Sequence, residues 1–521
     1  MQNNEEPKQT ISEFYAGKNV FLTGGTGFIG KVVIEKLLRS CPDVQGIYCL
    51  IRPKRGKTIE ERMKTMLQDK VYDRVRRLNA DFAKKVHLIA GDVIEENLGI
   101  SQDDYEFLEN NIHIVFHSAA TVRFEEPLKL AIRMNVIATK KMIQLCKRMK
   151  HLISLVHVST AYANCDREFI EEVIYPSLHK PENIIDMVQW MDEDTLNSIM
   201  PKLIGPKPNT YTYTKQLAEY MLVQEASNLP LAILRPSIVT ASWKEPFPGW
   251  IDNLNGPSGL YIAYGKGLMR TMIMETDLVA DMIPVDISVN MLLAVGWYTA
   301  VHNPEKTMLY HCTSGTLNPC TWGASCSHVK EVFKKVPLEG GFRRPRCFLT
   351  NKPTLYDYWI FVSHHIPAYL VDGACRLIGK KPRMVSLYAR LHKAMSTLTY
   401  FTTRSWEWSH NGLDALKAVM TAEDSQNFYL DPRSIHWPSY FEDFCLGTKK
   451  FILKEEISNV DTARAHIRKL RNIRYCFNTL ALVLLWRLLI ANSNLARSSW
   501  FFVLNLALKF LRFFRLSSTM T

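Results

Sequence analysis

Tyr211 and Lys215 stand four positions apart in NTYTYTKQLAEYML, the spacing that puts two side chains on one side of a helix. A phenol titrates near pH ~10 in water, too high to exchange protons readily at neutrality. A neighbouring ammonium favours the phenolate and is expected to bring the phenol toward working range. The same lysine could hold the ribose of a nicotinamide nucleotide. Tyr213, offset by two, must point elsewhere. Upstream, an apolar run ends in VSTAYAN, where a hydroxyl could hydrogen-bond a reacting carbonyl oxygen. Thr160 is the first choice for that role and Ser159 the second. Asn135, in MNVIATK, falls inside a predicted helix. Its amide could bend that helix, hold a water that feeds the lysine, or simply bond locally. A tuned phenol, a lysine and a hydroxyl form a set suited to proton and hydride transfer at a carbonyl.

Hydride needs a carrier, and the N-terminal segment supplies a cradle for one. The apolar run Asn19 to Thr23 leads into TGGTGFIG, after which an apolar-periodic stretch reads as a helix to Ser40. Gly24, Gly27 and Gly30 give GxxGxxG spacing, which allows a tight turn, close approach of backbone to a pyrophosphate, and close helix packing. Thr23, Gly24, Gly27, Phe28, Ile29 and Gly30 are the expected cofactor-binding residues of this turn. The next strand, Gly46 to Ile51, ends at Arg52, and no acid occurs from Val44 to Thr58. Arg52, Lys54, Arg55 and Lys57 stand where an NAD-specific site usually carries an acid for the ribose hydroxyls, so NADPH is the expected cofactor. Asp92 and Val93, after the third strand, are expected near the adenine. Ala119, in the small-residue run after the fourth strand, would let the dinucleotide lie close.

The elements that must hold these groups follow in order. Predicted strands at Asn19 to Thr23, Gly46 to Ile51, Val86 to Ala90, Ile112 to His117, Leu155 to Ser159 and Leu231 to Leu234 alternate with helical patterns. That alternation predicts an α/β fold, a Rossmann-type doubly wound parallel sheet with helices on both faces. The stretch 186–205 reads as one amphipathic helix that covers the site or caps the fold. A smaller, mainly helical C-terminal domain and a hydrophobic membrane-anchoring tail complete the expected architecture. The expected boundaries are a polar N-terminal tail over 1–16, the reductase domain over 17–300, a connector over 301–354, the helical domain over 355–447, a basic linker over 448–474 and membrane-associated segments over 475–515.

The chain has 521 residues, 47% of them apolar and 22% charged, which excludes disordered and low-complexity classes. Eleven cysteines without a CxxC pair argue against a disulfide framework. Cys320, Cys326 and His328 fit no zinc spacing, and no metal is expected. The polar, acidic N-terminus is not a signal peptide. The net charge is +13, yet residues 446–521 hold thirteen Lys and Arg against three Asp and Glu, so +10 of it belongs to the tail. Within that tail, Tyr475 to Ala491 and Trp500 to Arg515 are apolar stretches joined by a short polar segment. Each is near or below the ~20 residues of a clean span. They read either as one span plus an interfacial helix or as a hairpin anchor. The basic run Arg464 to Arg474 ahead of them places the body on the cytosolic side. Charge so distributed suits an anionic membrane and gives nucleic acid little support.

The cofactor turn, the Ser or Thr and the Tyr-xxx-Lys, in that order, resemble an extended short-chain dehydrogenase/reductase. A closer resemblance rests on HSAATVRFEEPL (117–128), VSTAYANC (158–165), EVIYP (172–176), RPSIVTASWKEPFPGWIDNLNGPSG (235–259), IPVD (283–286) and RSWEWS (404–409). These blocks look like the animal alcohol-forming fatty acyl-CoA reductases, and the likeness spans nearly the whole chain. It departs at Thr240, where glycine is expected. The resemblance implies reduction of a long-chain acyl-CoA by two NADPH to a primary fatty alcohol and free CoA, the thioester oxyanion being held by Thr160 and Tyr211. Lys266 and Arg270 are then candidates for the CoA phosphates, with Glu245 to Arg270 lining an acyl channel. It also implies the peroxisomal membrane or the endoplasmic reticulum, facing the cytosol. Homo-oligomerisation stays open. Two other readings share the cofactor: a membrane-bound reductase of a sterol or sugar nucleotide, and a nonenzymatic NADP-binding scaffold.

Overall fold

The computed structural model describes residues 9–53 and 56–517, with side chains as far as 512. Its centre is a seven-stranded sheet of β1 (Asn19–Thr23), β2 (Gly46–Ile51), β3 (Val86–Ala90), β4 (Ile114–His117), β5 (Ser154–Val158), β6 (Leu231–Pro236) and β7 (Met308–Cys312). The spatial order is β7-β6-β5-β4-β1-β2-β3, and every pairing is parallel. All five residues of β1 and of β5 are buried, as expected of strands covered by helices on both faces. The order reverses between β1 and β4, and ligands of such sheets bind outside the carboxyl ends of the strands at that crevice.

Six strands agree with the sequence reading to within two or three residues at their ends. The seventh, β7, lies in the stretch expected as a connector. Its five residues pair with β6, more than seventy positions earlier, and their pattern alone does not announce a strand. Between β6 and β7 runs the helix Val285–His302, buried on nearly every side and packed on the glycine-turn helix Phe28–Ser40 and on β5 and β6. The expected N-terminal tail needs a similar correction. Ile11–Tyr15 is a helix with a Thr10/Glu13 capping box, and Ile11, Phe14 and Tyr15 are buried. The Tyr15 hydroxyl donates to the Leu293 carbonyl at 2.8 Å, so the folded body begins before residue 16.

The C-terminal helical region shares its core with the sheet. Tyr440, Phe441 and Phe444 of the helix Trp437–Gly447 pack in the same cluster as residues of β1 and Val285–His302. Glu407–Trp408 pairs with Phe169–Ile170 as a short parallel ladder. The expected amphipathic helix over 186–205 is two helices, Pro181–Trp190 and Glu193–Ile204, the second capped by Asp192. Both pack on Leu128–Ile132, outside the sheet, and so cap the fold.

The tail is two long helices, Val460–Asn492 and Asn494–Ser517. The expected linker dissolves into this arrangement, since Thr448–Ile452 is a π turn with Thr448 and Lys449 buried and residues from Val460 on are helical. Trp486 meets Trp500 edge-on at 5.5 Å, and the Arg497 guanidinium donates to the carbonyls of Ile490 and Ala491. The two apolar stretches therefore form a helical hairpin. The first is long and apolar enough to cross a membrane, and none of its most apolar window is buried.

Candidate active site

Thr160 stands two residues beyond the end of β5, and the helix Thr210–Glu225 carries Tyr211 and Lys215. Asn209 caps that helix through the Thr212 N–H at 2.9 Å, which fixes where its first turn starts. Tyr211 is half-buried at the end of this turn, whereas Tyr213 is fully buried on another face, as its offset of two requires. The Thr160 hydroxyl accepts from the Tyr162 N–H at 3.3 Å and donates weakly to the Pro236 carbonyl at 3.4 Å. It lies close enough to the Tyr211 phenol to lower it, so the two hydroxyls stand near one another beyond the sheet. Ser159 is buried beside them, its hydroxyl without a partner.

The electrostatics differ from the sequence expectation. Burial pushes the Tyr211 phenol up to about 12, against a smaller lowering by Thr160. Lys215 is not among the groups that lower it, and its ammonium donates to the Val158 carbonyl at 2.7 Å, at the end of β5. Burial lowers Lys215 itself to about 8, with Glu219 one turn away opposing the shift. Glu219 is held by Arg235 of β6 in a buried two-pronged pair at 2.9 and 2.7 Å. Arg235 also donates to the carbonyls of Glu171 and Val173, locking the loop beyond the site to the catalytic helix.

Asn135 sits in the π turn Arg133–Ile137, so the helix is distorted there. Its amide oxygen accepts from the Thr121 N–H at 2.9 Å, and its amide nitrogen donates to the Thr121 carbonyl and the Thr214 hydroxyl. Both donors are thus used within the protein, and Asn135 fastens the loop after β4 to the residue beside Lys215.

A buried chain of hydrogen bonds continues from it. The Thr139 hydroxyl donates to the Asn135 carbonyl at 2.8 Å, so it must accept from the His117 Nε2–H at 3.2 Å. His117 Nδ1 then accepts from the Thr23 hydroxyl at 2.8 Å, which itself accepts from the Ala119 N–H at 3.1 Å. His117 is accordingly neutral, with burial lowering it to about 3. The Thr23 hydroxyl is thus engaged by His117 and by the Ala119 N–H. Sequence reasoning passed over His117, although it ends the predicted fourth strand.

The glycine turn has the shape a dinucleotide needs. Gly24 has φ +78°, and a Cβ there would come within 3.0 Å of the Ala119 nitrogen. A Cβ on Gly30 would meet the Gly24 oxygen at 2.3 Å, so only glycine lets the helix approach the strand so closely. A Cβ on Gly27 meets only the Gly24 oxygen, leaving its other side to a ligand. Phe28 stacks on Trp250 at 5.4 Å, and Gly30 and Val93 are buried; these residues shape the crevice from behind. At its rim, Arg52 is half exposed and lies 3.8 Å from Asp92. Arg62, which sequence reasoning missed on a surface helix, donates to the Arg52 carbonyl and to the Thr26 hydroxyl. Two guanidinium groups thus border the ribose end, and the residues present fit a phosphorylated nicotinamide dinucleotide. Lys54 and Arg55 lie outside the described residues.

The expected substrate contacts fare unevenly. Lys266 is held by Glu455 at 2.5 Å and by the Glu339 carbonyl, so its charge is neutralised within the protein. Arg270 has no carboxylate partner among the described residues and donates to the Arg344 carbonyl at 2.8 Å. Trp250 is buried against the glycine-turn helix, not in a channel, and Glu245 is tied to Lys36, Arg39 and Arg74. An aromatic wall does stand over the catalytic phenol. Phe124 stacks on Tyr211 at 5.7 Å and meets Phe401 of the C-terminal region at 5.3 Å, with Tyr162 and Trp406 behind. Thr240 is buried, bonded to the Ile283 carbonyl and 2.6 Å from the Tyr440 hydroxyl, so the side chain in place of glycine links the two halves.

Residues 22–292 match the NAD-binding family model described as male sterility protein, and residues 363–455 match a second model of the same description. Fatty acyl-CoA reductase 1 of Homo sapiens is 52% identical over 511 residues, covering 98% of this chain and 99% of that one. The chain belongs to the fatty acyl-CoA reductases. Fatty acyl-CoA reductase 2 of Mus musculus is 46% identical over 510 residues, covering 98% and 99%. Among solved structures, the fold is that of the terminal R domain from the myxalamid PKS-NRPS pathway, with TM-score 0.56 and 20% identity over 83% of this chain and 90% of that one. The reductase domain of a nonribosomal peptide synthetase from Mycobacterium tuberculosis aligns at TM-score 0.55 and 17% identity, over 82% and 91%. A fatty acyl-CoA reductase with this NAD-binding domain uses a nicotinamide cofactor.

Proposed function

We propose that this reductase converts long-chain acyl-CoA to a primary fatty alcohol and free CoA in two NADPH-dependent reductions. The observation that carries this reading is the convergence of the Thr160 and Tyr211 hydroxyls beyond β5, above a buried Lys215, in a chain similar throughout its length to fatty acyl-CoA reductases. When bound, the reduced nicotinamide supplies hydride. Thr160 and Tyr211 donate hydrogen bonds to the oxygen that gains charge, first from the thioester and then from the aldehyde. The raised phenol is protonated at neutral pH and so holds the proton that the second reduction delivers to the alkoxide. Lys215 contacts the nicotinamide ribose, and Asn135 and His117 hold the loops on either side. Gly24, Gly27 and Gly30 receive the pyrophosphate, Asp92 faces the adenine, and Arg52 with Arg62 receives the 2′-phosphate. Phe124 and Phe401 border the acyl chain near the reacting carbon.

The supporting experiment is product analysis with acyl-CoAs of increasing chain length. Free thiol and alcohol, formed with two NADPH consumed per alcohol, are the expected result. Absence of thiol release at every chain length would refute the reading. We further propose that the tail hairpin anchors the protein in the peroxisomal membrane, with the endoplasmic reticulum as the second candidate, and that the body faces the cytosol. The basic run Arg464 to Arg474 ahead of the first apolar stretch supports that orientation. Protease digestion of intact organelles should remove the body.

A further inference from the structure

The helix pair Pro353–Ile360 and Ile366–Leu377, joined by the π turn Phe361–His365, has its polarity inverted relative to a soluble surface helix. Its inward face carries His364, Ala368 and Asp372, all buried. His364 accepts from the Arg270 N–H at 3.0 Å and lies 2.8 Å from His392, and Asp372 accepts the N–H groups of Arg383, Met384 and Val385. The outward face is apolar: Tyr358 is 56% exposed, Phe361 60%, Leu370 68% and Leu377 90%. The extra residue of the π turn keeps these side chains on one side along the whole pair.

The surroundings of this ridge are basic, with Arg343 donating to the Tyr388 hydroxyl at 2.6 Å. Arg343, Arg344, Arg346, Arg376, Lys380, Lys381 and Arg383 flank it in sequence, and among the described residues none lies within salt-bridge distance of a carboxylate. The Arg343 Nε is buried without a partner. The cluster is also continuous with the start of the membrane hairpin. The His466 ring bonds the Gly341 carbonyl at 2.8 Å, and Ile467 packs against the same loop. Arg474, the last residue before the apolar run, stands close enough to Arg270 to disfavour its charge, as do Arg343 and Arg346.

We propose that the apolar ridge 358–377 and its arginine rim are a second membrane-docking surface, seated on the anionic face of the bilayer that the tail hairpin enters. The outward apolar side chains enter the headgroup–acyl boundary and the guanidinium groups meet lipid phosphates. The tail then fixes the protein to the membrane, and the ridge fixes its tilt. The helix that follows the ridge, Met384–Thr402, carries Phe401 at its far end beside Phe124, so the docked surface is joined to the substrate wall by one rigid element.

The proposal rests on the tail being inserted, and the test separates the two. Full-length protein carries an environment-sensitive fluorescent amino acid in place of Leu377 and is reconstituted into nanodiscs containing phosphatidylserine. Incorporation reports the tail. Quenching at position 377 by doxyl-labelled lipid, against quenching by aqueous iodide, reports the ridge. Strong lipid quenching with weak iodide quenching is expected, and the variant Arg344→Glu/Arg346→Glu, altered only at exposed positions, should lose lipid quenching several-fold. The same loss is expected in pure phosphatidylcholine. Incorporated protein whose label is open to iodide overturns the proposal. Iodide shielding without lipid quenching overturns it in favour of a second copy of the chain. Lipid quenching indifferent to both the charge reversal and the lipid charge overturns it as well.

Discussion

The carboxyl end of the sheet and the tail hairpin treat polar and apolar groups in opposite ways. At the sheet, polar side chains are buried and satisfied by one another: Thr23, His117, Thr139, Asn135 and Thr121 form one chain of bonds, and Arg235 with Glu219 forms another. In the hairpin, leucines and phenylalanines are largely exposed along both helices. Water-excluded protein makes an unpaired polar group costly, which is why these groups are bonded to one another, Ser159 and His157 being exceptions. The apolar tail shows the complementary rule, since such a surface is stable only in an apolar solvent. The chain thus pairs a polar, bonded site with an apolar tail consistent with membrane association.

Substitutions should sharpen that contrast. The largest expected effect is on the chemistry: Tyr211→Phe keeps the ring and its stack on Phe124 but removes the proton donor. Turnover should fall by about 10²–10⁴, with nucleotide binding unchanged in a fluorescence titration. If turnover survives, the phenol is not the donor. Next comes the buried pair. Arg235→Ala leaves Glu219 charged and unpartnered and should cost about 3–5 kcal/mol, read as a lower midpoint in denaturant unfolding of the detergent-solubilised chain.

A charge placed in the tail should behave differently. Leu482→Arg should leave the unfolding midpoint of the body unchanged while opposing membrane insertion by about 2.5–3.5 kcal/mol, seen as extraction of the protein by carbonate. Equal damage to the body would mean that the hairpin packs on it. The smallest effect expected is on the pH profile. Lys215 is lowered to about 8, so the ammonium is lost above that pH and kcat/KM should fall there. Stability has the opposite sign. Between about 8 and the ordinary lysine range of ~10.4 the unfolded chain holds a proton that the folded one does not, so this residue's contribution to stability rises with pH. Lys215→Met should remove both trends.

The cofactor turn was legible because its signal is local: Gly24, Gly27 and Gly30 fall within seven residues and the strand and helix they join are adjacent. The Tyr211–Lys215 pair was legible for the same reason. The electrostatic relation between them was not. Spacing of four puts two side chains on one side of a helix, but it does not say that the Val158 carbonyl will take the lysine or that burial will raise the phenol. Lys266 read as a free cation because Glu455 stands 189 positions away. Arg62 was passed over because its partners, Thr26 and Arg52, belong to other elements. The strand β7 was missed because a five-residue run gains its identity from β6, and the N-terminal helix because its burial depends on Leu293.

The sequence by itself determined the glycine turn, the placing of Tyr211 and Lys215 on one helix, the parallel alternation of strands and helices, and the concentration of positive charge in an apolar tail. These rest on neighbours within one or two turns of chain, where periodicity and residue type are sufficient. Only the tertiary structure decided which charges are neutralised, which histidine tautomer is held, that Phe401 from the helical region meets the ring stacked on Tyr211, and that the ridge 358–377 faces outward. Each of those depends on partners brought together from distant positions, and it is burial, not spacing, that sets how strongly they interact.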